Sequence, residues 1–306
     1  MSVMTLRRLF LALAVIVGLV ASASAQTASK LQGFPSAEAA ADALTEALRK
    51  DDDKAIAAIL GSGWRDFVAG DPEEEDRERA RFLAGWDESH KLVPADNDTM
   101  LVQVGNSGWV APIPIVKDGA EWRYDVEAGR KEVQARQIGR NELAVVQTLL
   151  AIVDAERDYA ALDPMKTGMV QYARRLVSSP GKKDGLYWEA RPGEPESPLG
   201  PSLAKAQLGD VAEQGYYGYR FRLLYSQGAA APGGAYDYLV NGRMLGGFAV
   251  IAWPVRYGET GVSTFIVSHA GDVYERDLGP DTAQAAAAIT VFNPDKDWQK
   301  SDETPP

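Results

Sequence analysis

Cysteine is missing from all 306 residues. That excludes disulfides, thiolate zinc sites, iron–sulfur clusters, thiol nucleophiles and a lipid-modified cysteine anchor. Histidine is nearly missing too, with only His90 and His269, and neither lies in an HExxH pair. A Ser/His/Asp triad would have to use one of them, and no serine sits in a G-x-S-x-G turn. The Gly-x4-Gly-Lys-Ser/Thr phosphate loop is absent. Basic residues form no block, and acids outnumber them 43 to 32, a formal charge of −11. Such a chain repels nucleic acid and anionic lipid at long range. After the first 25 residues no apolar run reaches membrane-spanning length.

What is present begins with an export pattern. Arg7 and Arg8 precede the apolar core Leu9–Val20, and Ala23-Ser24-Ala25 forms a small-x-small cleavage site before Gln26. The core is too short to cross a bilayer, so residues 1–25 read as a secretory signal peptide. The arginine pair also resembles a twin-arginine signal, but Leu6 stands where Ser or Thr usually precedes it. General secretory export to the periplasm or beyond is the expectation. Losing residues 1–25 removes two basic residues and no acidic one, so the mature chain is more acidic still.

The rest predicts an α+β fold of two domains, 36–127 and 139–298, with a disordered tail at 299–306. Ser36 opens a helix, Asp51–Asp53 breaks it and caps a second that stops at Gly61, and Pro72–His90 makes a third. Strands are expected over 91–94, 99–104 and 109–116, with a hairpin at Lys117–Ala120. This element order resembles the cone-shaped nuclear-transport-factor-2-like class. A further helix is expected from Val126 to Ile138. Gly139 reads as the seam, Asn141 as the cap of the next helix, and Pro164–Val177 as another helical segment. Ser178–Pro201 is a long Gly/Pro-rich loop. Residues 248–276 then read as an antiparallel meander, with turn glycines between β-rich runs.

The candidate chemistry is sparse. Glu194 and Glu196 share a Pro-rich loop with Tyr187 and Trp188, and carboxylates beside aromatics suit sugar binding or cleavage. The plainer alternative is a surface loop anchored by those rings. Lys182-Lys183-Asp184-Gly185 offers an anion contact or a solvated turn. Asp96-Asn97-Asp98 and Asp277–Asp281 offer oxygen ligands without the EF-hand pattern. The tyrosines between 216 and 238 form either a packed face or a recognition patch.

Several stretches carry a resemblance: Ile138-Gly139-Arg140-Asn141-Glu142-Leu143, Val153–Tyr159, Ser179–Trp188, Glu194–Pro201 and the Gly242–Gly279 meander, with Ala58–Gly63 and Arg81–His90 in the first half. They resemble a family of secreted bacterial proteins of unknown function (domain of unknown function 2950). The resemblance covers most of the mature chain and implies no activity. The second half also looks like the soluble head of type II secretion pseudopilins, a long helix followed by a meander, but without the N-terminal polymerising helix.

Together these features lead to an exported, non-catalytic binding or structural protein of the bacterial envelope, needing no cofactor. Its partner would be an envelope protein or a glycan, met by Lys182, Lys183, Asp184, Tyr187, Trp188, Tyr217 and Tyr219. The alternative is a glycan or cell-wall hydrolase using Glu194 or Glu196. A third reading is a small-ligand pocket in the first domain lined by Trp64, Phe67, Trp86, Trp109 and Trp122.

Overall fold

The computed structural model describes residues 31–67, 71–207 and 213–301. The expected signal peptide lies outside the described residues. The first helices form where local caps place them. Ser36 Oγ accepts from the Ala39 amide at 3.1 Å to open α1 (Ala37–Arg49). Asp52 does the same for α2 (Asp53–Leu60), and Gly61 ends it at φ +88°. After a 3-10 turn at Trp64–Phe67, Asp71 caps α3 (Pro72–Glu88), with proline in its first turn. Of the 17 residues of α3 only Trp86 is buried.

Five short strands follow: β1 (His90–Pro94), β2 (Thr99–Val104), β3 (Trp109–Val110), β4 (Ile115–Asp118) and β5 (Glu121–Tyr124). They pair antiparallel in the order β1-β2-β4-β5, with β3 on β2. The single strand expected over 109–116 is split in two. Pro112 and Pro114 lie in the break, where a missing N–H stops a ladder.

The two helices expected on either side of Gly139 are one. One helix, α4, runs unbroken from Val126 to Leu162. Asn141 is not a cap but a buried mid-helix residue whose Oδ1 accepts from Gln137 Nε2 at 2.8 Å while its Nδ2 donates to the Thr260 carbonyl at 2.9 Å. Beside it, Glu142 Oε1 accepts from the amides of Val262 and Ser263 at 2.8 and 2.9 Å. These tertiary bonds outweigh the weak helix preference of glycine and asparagine.

The helix expected at 164–177 is likewise replaced by turns. Asp163 ends α4 in the left-handed region (φ +40°), and Lys166 and Gly168 follow it there. The Asp163 carboxylate accepts from the Thr167 and Gly168 amides, which fixes the reversal. Beyond come α5 (Pro201–Lys205), β6 (Tyr219–Leu224), β7 (Ser226–Gln227), β8 (Tyr236–Asp237), β9 (Leu239–Val240) and β10 (Arg243–Met244). The meander is β11 (Ala249–Pro254), β12 (Ser263–Ser268) and β13 (Val273–Asp277), then α6 (Thr282–Ala288) and β14 (Gln299–Lys300). The large sheet runs β14-β13-β12-β11-β6, antiparallel throughout. Gln299 and Lys300, expected in a disordered tail, instead pair with Glu275 and Tyr274, and residues 302–306 of that tail lie outside the described residues.

Buried apolar side chains form two clusters. One gathers residues between Phe34 and Tyr124, and the other residues between Val145 and Phe292. The second half of α4 supplies Val145, Leu149, Ile152 and Val153 to the latter. Among the described residues no helix is long and apolar enough to cross a membrane.

Glu156, on the same helix, has no exposed surface. Its Oε2 accepts from the Ala173 amide at 2.7 Å, and its Oε1 has no partner. Burial pushes the carboxyl well above its usual range, against the smaller opposing pull of the Ala173 amide.

Two expectations test this architecture. Gly139→Ala should stabilise the protein by about 0.5–1 kcal/mol in urea unfolding, since a Cβ there meets nothing within 4 Å and alanine is the better helix former. A loss of stability would mean the chain bends at that point. For Glu156 the sign follows from the raised folded value. Above about pH 4.3 the unfolded chain releases a proton that the folded chain keeps. Stability therefore falls with rising pH, by about 1.4 kcal/mol per unit until the folded carboxyl ionises. Glu156→Gln should flatten that slope, so its urea midpoint relative to wild type should be higher at about pH 8 than at about pH 4.

Candidate functional site

The main concavity lies in the first half of the chain. It is a cavity of about 1020 Å³ between α1 and α2, α3, the first sheet and the N-terminal half of α4. Its origin is a packing deficit. α1 meets β4 and β5 with a face rich in alanine, including Ala37, Ala40 and Ala41, which permits close approach. Leu44 and Leu48 turn instead toward the cavity, and α3 crosses the space with Phe82 and Trp86 as its large apolar contacts. The remaining volume is left unfilled.

Aromatic rings dominate the walls. Trp64 and Trp86 are buried, and Phe67 and Phe82 are partly so. Trp109 is 45% exposed and stands at the rim. Phe82 lies 6.0 Å from Trp86 and 6.4 Å, edge-on, from Trp109. Four of the five aromatics expected to line a first-domain pocket do so. Trp122 does not, because its backbone pairs with Phe34 further along β5. The α4 wall is a single stripe, Val133, Arg136 and Arg140. Most charged side chains at the margin already have partners. Arg136 bonds Glu132 and the Val110 carbonyl, both at 2.8 Å. Arg79 pairs with Asp51 and Asp76, and Glu88 accepts from Asn106. At the inner wall Thr45 donates to the Ala41 carbonyl at 2.9 Å, and burial pushes the Tyr124 phenol upward.

The residues singled out on the 178–201 loop lie elsewhere and are held by that loop's own packing. Trp188 is buried, set edge-on to Tyr159 at 6.4 Å, and its Nε1 donates to the Pro195 carbonyl at 3.2 Å. Tyr187 is half-buried and pairs through its backbone with Leu176. Asp184 accepts from the amide and hydroxyl of Ser179, and Lys182 is exposed. Lys183 forms an ion pair with Glu194 at 3.1 Å, with its ammonium 5.4 Å from the Trp188 ring centroid. That pair lowers the proton affinity of Glu194, the opposite of what a general acid requires. Glu196 is exposed.

Tyr219 corrects the expectation of a surface contact. It is wholly buried, and its hydroxyl donates to Glu142 and to the Ser263 carbonyl. Tyr217 is 51% exposed, with its ring against Tyr216.

The remaining candidates are explained by packing or turns. His90 stacks on Trp86 at 3.9 Å, and His269 lies against Tyr238 and Phe248. Asp96 and Asp277 accept from amides two residues ahead, the usual asparate turn. Among the described residues no cluster of three His, Asp or Glu side chains fits a metal ion.

The chain belongs to the family described as protein of unknown function (DUF2950), whose profile matches residues 31–301. No curated protein and no solved structure matches it.

If Trp188 is an internal anchor, Trp188→Ala should cost about 3–5 kcal/mol in denaturant unfolding. A cost near zero would return the ring to the surface as a sugar platform.

Proposed function

We propose that this chain is an exported, non-catalytic binding protein of the cell envelope that holds a small apolar molecule between α3 and the first sheet. The cavity carries this reading. Its volume, about 1020 Å³, is at the upper end of the range for small-molecule sites, and its walls combine a majority of apolar side chains with charged ones such as Glu78, Arg81 and Arg136. The export pattern at residues 1–25 and the likeness to a secreted family support the location. The 178–201 loop gives less support, since its aromatic and acidic side chains are engaged within the loop.

The test uses residues 26–306 and a neutral apolar dye, N-phenyl-1-naphthylamine. The expected result is saturable one-site fluorescence enhancement and a raised Tm, worth about 2.7 kcal/mol at 100 times the Kd. Val133→Trp, which places a ring in the cavity from α4, should remove both responses while leaving the circular dichroism spectrum unchanged. No saturable uptake by wild type, or equal uptake by the folded variant, would sink the reading.

A further inference from the structure

The protein has four buried tyrosines, and three of them have partners for their hydroxyls. Tyr159 donates to the Lys183 carbonyl at 2.6 Å, Tyr219 to Glu142 and Ser263, and Tyr238 to Gln227 Oε1 at 2.9 Å. Tyr124 is the exception. It is only 5% exposed and lines the cavity, yet its hydroxyl makes no hydrogen bond among the described residues. The Tyr124 hydroxyl is not among the fully enclosed polar atoms that lack a partner, so it keeps accessible surface where the residue lines the cavity.

The position of Tyr124 is fixed from both sides. It is the last residue of β5, paired with the wholly buried Ile115, and its neighbour Asp125 caps α4 through the Ala128 amide. It is therefore a donor set in a stiff wall. Thr45, the nearby hydroxyl of α1, has its proton committed to Ala41. The surrounding walls mix rings, Trp64, Phe67, Phe82 and Trp86, with aliphatic side chains such as Leu44, Ile56 and Val102.

We infer that the cavity's occupant is a ring-bearing apolar molecule with one hydrogen-bond acceptor, a carbonyl or hydroxyl oxygen, and that the Tyr124 hydroxyl donates to it. This assignment rests on the binding reading above. Burial keeps the phenol protonated at ordinary pH, so the donor persists across the physiological range. Tyr124 is then a specificity residue, since it separates ligands of the same shape by one oxygen.

The experiment compares 9-fluorenone with fluorene, which share a tricyclic skeleton and differ at the carbonyl. Each competes with N-phenyl-1-naphthylamine on residues 26–306. Wild type should bind fluorenone about three- to tenfold more tightly than fluorene, the ratio expected for one neutral hydrogen bond. Tyr124→Phe should bring that ratio to about one, with fluorene affinity and Tm unchanged. The bound fluorenone carbonyl stretch should also shift to lower frequency in wild type and not in the variant. Equal affinities in wild type, a preference that survives in Tyr124→Phe, or failure of both tricycles to displace a bound dye would each overturn the inference. Failure of the dye itself to bind removes the cavity reading beneath it, which keeps the two outcomes apart.

Discussion

Glu142 is the interaction on which much of the second half depends. One carboxylate oxygen accepts from the Val262 amide, the Ser263 amide and the Tyr219 hydroxyl. This ties α4 to the start of β12 and, through Tyr219, to the start of β6. Tyr219 in turn needs Gly261, where a Cβ would overlap its hydroxyl. Asn141 adds the Thr260 carbonyl one residue away. A three-donor carboxylate is costly to leave half-filled, so the helix, the 256–261 turn and two strands of the sheet are held in one arrangement.

The same helix walls the cavity. Val133, Arg136 and Arg140 face the first half of the chain, and from Val145 onward the buried residues face the second sheet. A helix of 37 residues spans about 55 Å at the standard rise, enough to serve both cores without a joint. The candidate site is thus built on an element held by the bonds of Asn141 and Glu142, directly beyond the cavity-lining Arg140.

How much of this was legible in the sequence varied with the range of the signal. Ser36, the Asp51–Asp53 cap of the second helix and the turn glycine of the hairpin are local chemistry, and they read correctly. The antiparallel meander read correctly for the same reason. Gly139 and Asn141 misled because they resemble punctuation, while the side chain of Asn141 is held by the Thr260 carbonyl, 119 residues away. Met165, Met169 and Val170 resemble a helical apolar stripe, but the left-handed turn set by Asp163 decides the local path. The tyrosines near β6 resemble a surface patch, yet Tyr219, Phe221 and Leu223 alternate inward along that strand. Trp64, Phe67, Trp86 and Trp109 could be grouped from residue type alone. The unpartnered hydroxyl of Tyr124 had no sequence signal, since it is defined by what fails to reach it.

α3 buries a single side chain, so little apolar surface holds it in place. Its links to neighbouring elements include ion pairs such as Arg79 with Asp51, Arg49 with Asp87 and Arg65 with Glu75, all with at least one partner well exposed to solvent. Such pairs contribute little to stability and weaken in salt. The wall made by α3 is therefore the least anchored one, tied to the first core chiefly by Trp86 and Phe82. Ionic strength is therefore the solvent condition to which the hold on α3 is most sensitive.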